Sequence, residues 1–154
     1  MSSLVVWRLC AAKYAATAFD GEGARLYGGR WSPKGIAVNY TAESRALAVV
    51  EVLAQVDDRA RLADLRWVLI SAEFPEALIE RPARYPAESR QFPRTLTTQA
   101  FGESWAKEAR SVALRVPSAV VPGEFNYLLN PAHPDFSRVK IARPEPFSFD
   151  SRLT

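Results

Sequence analysis

Four residues stand out for the chemistry their side chains could do: Arg30 in YGGRW, Tyr40 at the end of IAVNY, Glu51 eleven residues later in an otherwise apolar stretch, and Ser118 in RVPSAVVP. The chain holds sixteen arginines against four lysines, an excess that favours fixed, two-pronged contacts with phosphate or carboxylate over a diffuse cationic field. Arg30 stands beside Gly28 and Gly29, in a segment that also holds Gly21, Gly23 and Gly35, and glycines let backbone approach a ligand closely or take positive φ. Ser118 has no evident base partner, so it reads as a hydrogen-bonding group rather than a nucleophile. Taken singly these residues also admit plain structural roles. Arg30 could pair with an acid or stack on Trp31, Tyr40 could end a core strand, Glu51 could be the wet edge of its helix, and Ser118 could be a turn residue after proline.

Other chemistries are excluded by pattern. Gly21 and Gly23 would need a third glycine at position 26 for a dinucleotide fingerprint, and that position is Leu26; no phosphate-binding G-x-x-x-x-G-K-[ST] loop and no G-x-S-x-G elbow occur. Cys10 and His133 carry no motif of a nucleophile pair, and His133, in NPAHPDF, reads as a turn or packing residue. One cysteine and one histidine rule out a disulfide scaffold and leave too few soft ligands for zinc, so no metal is expected.

The elements that must carry these residues are legible in outline. Residues 5–9 read as an opening strand, followed by a helical turn over 11–19 and the glycine-rich loop 20–35. Residues 36–40 form a short strand. A helix then starts with Thr41 as N-cap, and nine of the eleven residues at 46–56 are apolar, which predicts a helix buried nearly all round. Ser44, Glu51 and Gln55 make its narrow polar strip. Residues 65–74 read as a strand, 75–93 as a proline-rich surface excursion with room for one short helix, and 96–109 as a core helix. Strands are expected at 111–116 and 119–121, with Ser118 exposed at the Pro117 break, and one or two more at 139–142 and 146–149.

The strings GGRWSPKGIAVNYTAESRALAVVEVL and LRVPSAVVPGEFNYLLNPAHPDF resemble the RES domain, named for an arginine, a glutamate and a serine, which is the toxin half of bacterial toxin-antitoxin pairs. The resemblance runs from about Trp7 to the C-terminus, apart from 75–93, where no family pattern is recognised. Matched onto this sequence, it implies Arg30, Tyr40, Glu51 and Ser118 as catalytic residues, and Asn126 and Asn130 lie in the NYLLNP motif that follows; the chemistry so implied adds Tyr27, Gly28 and Gly29 to Arg30, Tyr40 and Asn126 at the ligand. It further implies an ADP-ribosyltransferase-like α+β fold, with a split, mostly antiparallel β core and flanking helices, and NAD+ as substrate. Two outcomes follow from it: NAD+ destruction by hydrolysis or phosphorolysis, or transfer of ADP-ribose to a protein. The implied partner is a helix-turn-helix antitoxin of the Xre type. In that chemistry a carboxylate at Glu51 would stabilise the oxocarbenium-like ribose, Arg30 would anchor the pyrophosphate, and Tyr40 or Tyr27 would stack on nicotinamide.

Composition sets the frame. A chain of 154 residues with 48% hydrophobic and 24% charged residues is expected to fold as one domain, 1–154, around a single sizeable core. A formal charge of +3 without a dense basic stripe argues against direct nucleic-acid binding, although a non-catalytic binding module remains the rival reading. No run of about 18 apolar residues is present, and a cytoplasmic protein without membrane association is expected.

Overall fold

The structure, a computed structural model, describes residues 2–94 and 96–154. Its longest ladder joins β1 (Ser3–Ala11) to β3 (Trp67–Pro75), antiparallel from Ser3 opposite Pro75 to Ala11 opposite Trp67. β2 (Asn39–Ala42) pairs with β6 (Phe125–Leu129), β6 with β5 (Ala113–Pro117), and β5 in parallel with the short β4 (Ile79–Glu80). β7 (Lys140–Ile141) and β8 (Glu145–Phe147) both add to β3. Every ladder except β4–β5 is antiparallel. The sheet is split in the middle, because β1 and β2 meet at a single residue pair, Trp7 opposite Ala42.

Strand alternation sends residues to two faces. On one face α2 (Arg45–Gln55) lays Leu47 and Ala48 on Leu9, Ala42 and Leu69, while α4 (Leu96–Lys107) lays Trp105 on Leu114, Val116 and Leu128 together with Trp31 and Val38. Tyr40 and Asn126 project from the same face between these two clusters, as their register with Leu128 and Ala42 requires. The opposite face is one larger cluster that includes Val6, Ile70, Phe74, Ala113, Tyr127 and Leu129 and spans both halves of the sheet.

Several expectations need correction. The helix begins at Arg45 with Ser44 as N-cap, whose side chain accepts from the Leu47 amide; Thr41 instead lies in β2 and donates its hydroxyl to the Tyr127 carbonyl. α2 is not buried all round, since Ala46, Ala54 and Gln55 are exposed: it lies on the sheet by one stripe, and its small residues leave the other stripe in solvent. No strand forms at 119–121. The chain turns there through Ser118 N–H to the Glu124 carbonyl and returns as β6, which turn signals on either side had hidden. The glycine-rich segment contains α1 (Glu22–Tyr27), and a single-turn helix, α3 (Arg61–Asp64), precedes β3. The proline-rich excursion opens with a 3-10 turn (Glu76–Leu78) and contributes β4.

Candidate active site

Arg30 is carried on a tight turn. α1 ends at Gly28, whose φ of 73° is left-handed and suits glycine, and an isolated bridge between Gly29 and Ser32, with Gly29 N–H to the Ser32 carbonyl at 2.8 Å, leaves Arg30 and Trp31 at the tip. Trp31 is buried edge-on against Tyr85 and Phe101. Below the turn, the Tyr40 hydroxyl accepts from the Trp31 amide at 3.0 Å and shares a hydrogen bond with Ser32 Oγ at 2.8 Å. A Cβ on Gly29 would collide with that hydroxyl, so any larger residue there would have to displace the Tyr40 ring end from the turn. Burial pushes the Tyr40 hydroxyl above its usual pKa, which keeps it a neutral phenol through the physiological range.

Glu51 reaches the same place from α2. Its Oε2 accepts from Ser118 Oγ at 2.8 Å and from Asn126 Nδ2 at 2.6 Å. Ser118 Oγ itself accepts the amides of Val120 and Val121, at 3.1 and 3.0 Å, so its one proton is directed to the carboxylate. Glu51 Oε1 receives no hydrogen bond from the described residues. The Arg30 guanidinium donates from Nη1 to the carbonyls of Gln91, at 2.6 Å, and Ser89, at 3.3 Å. Its pKa is lowered, first by burial; the Glu51 charge opposes this and Arg94 adds to it.

These groups share a cleft of about 970 Å³ lined by Arg8, Arg30, Tyr40, Glu51, Arg94 and Asn126 among others, near the top of the range of roughly 300–1,000 Å³ usual for small-molecule sites. Arg8 stands at the split of the sheet, where its Nη1 donates to the Tyr40 carbonyl at 3.0 Å and its buried Nε has no hydrogen-bond partner among the described residues. Asn126 Oδ1 is likewise buried without a partner among them. The cleft is lined by three guanidinium groups, Arg8, Arg30 and Arg94, and by the carboxylates of Asp20, Glu22, Glu51 and Asp57, a mixed lining that suits a ligand with anionic and polar parts.

The structure thus brings together Arg30, Tyr40, Glu51, Asn126, Gly28 and Gly29. It leaves two expected groups out. Tyr27, at the exposed last turn of α1 with 72% of its surface accessible, does not line the cleft. Ser118 is only 1% exposed rather than presented at a strand break, and it touches Glu51 rather than the open space. Asn130 is buried and bonded to Ala106 and Ala132, tying α4 to the loop after β6. His133 caps a 3-10 turn by accepting the Asp135 amide. Sequence reasoning missed Arg8 and Arg94. Arg8 did leave a signal, a charge interrupting the apolar run VVWRLC; Arg94, just past the excursion without pattern, left none.

The chain is 36% identical to a protein named Toxin Res from Yersinia enterocolitica, covering 97% of this chain and 99% of that one. It is 34% identical to one named Prs ADP-ribosylating toxin from a Sphingobium strain, covering 96% and 94%. Among solved structures it superposes with a TM-score of 0.74 on a chain of the MbcT-MbcA toxin-antitoxin complex of M. tuberculosis, at 20% identity and covering 96% of this chain and 85% of that one, a likeness of fold. The sequence model of the RES domain matches residues 5–150, so the chain belongs to the RES domain family.

Proposed function

We propose that this protein is a toxin that consumes NAD+ by breaking the bond between nicotinamide and ribose. The observation that carries the proposal is Glu51, held at the cleft by Ser118 and Asn126 with Oε1 left open, facing Arg30. As the glycosidic bond breaks, its electron pair leaves with the nicotinamide ring nitrogen and positive charge develops on the ribose. A fixed carboxylate stabilises that charge without having to reorganise. Arg30, with Arg8 and Arg94 across the cleft, supplies guanidinium donors for the pyrophosphate, and the backbone at Gly28 and Gly29 lets the ligand approach. Tyr40 serves as a neutral anchor of the Arg30 turn and as an aromatic wall. The released ADP-ribosyl group passes to water or phosphate. Transfer to a protein is the second reading, favoured by the name of the Sphingobium relative. A cognate antitoxin, of the helix-turn-helix type, would keep the enzyme silent in the cytoplasm, in keeping with the complex in which the M. tuberculosis fold relative was solved.

The test is to incubate the purified chain with NAD+ and measure free nicotinamide, with Glu51→Gln beside it. The substitution keeps size and helix while removing the charge, and losing one such contact costs about 10² to 10³ in rate. Nicotinamide release by the parent, its collapse in E51Q, and growth arrest with falling NAD+ on expression of the parent alone are the expected results. Turnover by E51Q at the parent rate would remove Glu51 from the mechanism. Labelled ADP-ribose recovered on protein rather than free in solution would select the second reading.

A further inference from the structure

Arg30 sits at the tip of a turn closed by one bridge, which by itself leaves the direction of its side chain loosely defined. The turn is gripped from outside by the first two turns of α4. Thr98 Oγ1 donates to the Arg30 carbonyl at 2.6 Å, and Gln99 Nε2 donates to the Gly29 carbonyl at 3.0 Å and the Ser32 carbonyl at 3.3 Å. One helical turn further on, Gly102 lies so close to the Trp31 carbonyl that any Cβ there would overlap it. All four carbonyls from Gly29 to Ser32 therefore meet α4, and with the peptide planes fixed, the exit vector of the Arg30 side chain is fixed as well. The far end of that side chain is held by the carbonyls of Ser89 and Gln91, in the segment leading into the same helix.

We propose that Thr98 and Gln99 are positioning residues for Arg30: by capping the carbonyls of its turn they aim the guanidinium into the cleft. The proposal deepens the NAD+ reading and rests on it for its kinetic consequence, but the geometric claim can be tested apart from turnover. In this site α4 is a splint for a ligand-binding turn, with Ser89 and Gln91 holding the far end of Arg30 and Thr98 and Gln99 its backbone.

The experiment uses the whole chain with Thr98→Val and Gln99→Leu, which keep bulk and remove the donors, and Thr98→Ser, which keeps the hydroxyl. Two readouts are taken on folded protein: kinetics of nicotinamide release, and the Arg30 Nε–H resonance in a nitrogen-15 spectrum, assigned by its loss in Arg30→Lys. The misplaced guanidinium should raise KM for NAD+ by roughly 10- to 100-fold with kcat less affected, T98S should restore most of the loss, and Q99L should add little in an R30K background. The Arg30 line should be distinct in the parent and shift into the envelope of solvated arginines in Q99L. Equal losses from Q99L with and without Arg30, an Arg30 line unmoved by Q99L, or a line already averaged in the parent would each overturn the proposal. If the parent releases no nicotinamide, the NAD+ reading fails on its own, and the resonance decides the positioning claim.

Discussion

Ser118 shows how a side chain away from the open space can matter to chemistry within it. Its hydroxyl takes two amide protons from the 118–121 turn and gives its own to Glu51, so one atom fixes both a loop and a carboxylate. Ser118→Ala should therefore lower kcat for nicotinamide release about 10-fold or more while leaving KM near the parent value. It should also cost about 1–3 kcal/mol of stability, because two amides lose their acceptor. Denaturant titration and steady-state kinetics check both parts, and a parent-like kcat in a destabilised S118A would restrict Ser118 to holding the loop. At this scale Arg30 and Glu51 were legible because a guanidinium among glycines and a lone carboxylate in an apolar helix are conspicuous. Arg8 lay inside what reads as an ordinary strand. The placement of Tyr27 depends on which way α1 faces, and that is set by the left-handed Gly28 and the buried Trp31 rather than by any local pattern.

Among the elements, α4 carries more than its amphipathic sequence announces. It reads as a core helix, and Trp105 does fill the core beneath it, but its close approach to the Arg30 turn depends on Gly102. Gly102→Ala has no room, because the obstacle is backbone and cannot swing aside. The helix must therefore move off the turn, at a cost of about 1–3 kcal/mol as for other overpacked sites, and the Thr98 and Gln99 hydrogen bonds should lengthen with it. Thermal unfolding and a crystal structure of G102A check this; an unchanged Tm with α4 in place would show that the contact tolerates a methyl group. The longer elements were readable in outline: β3 and α4 nearly to their ends, β1 only in its centre at 5–9, and α2 by its apolar content though not its N-cap. β6 was not, because Gly123 and the Asn130–Pro131 pair frame its five residues with strong turn signals, and neither were α1 and α3, which are too short for a helical period to emerge.

For the molecule as a whole, the decisive feature is a sheet whose halves meet at one residue pair on the side of the cleft and are bound together by a continuous apolar cluster behind it. Arg30 enters the cleft from the turn beside α4, and Glu51 from α2, which straddles the seam by packing on Leu9, Leu69 and Ala42 and by bonding through Glu51 to Ser118 and Asn126. A ligand that touches both bridges two elements that are juxtaposed only in the folded state. Under the proposed NAD+ reading, linkage requires that ADP-ribose, the NAD+ skeleton without its nicotinamide, stabilise the protein. At a concentration 100 times its Kd the gain is about 2.7 kcal/mol, and in a chain of this size each kcal/mol raises Tm by roughly 2–4 °C, so a rise of about 5–10 °C is expected. Nicotinamide alone, which cannot span the cleft, should give much less. Arg30→Ala should abolish most of the shift with ADP-ribose if Arg30 is the pyrophosphate anchor proposed above, while the seam and the rear cluster stay intact. Scanning calorimetry over a concentration series measures all three. A Tm that does not respond to millimolar ADP-ribose would mean that the cleft does not hold the dinucleotide skeleton, and Glu51 would then face a different substrate.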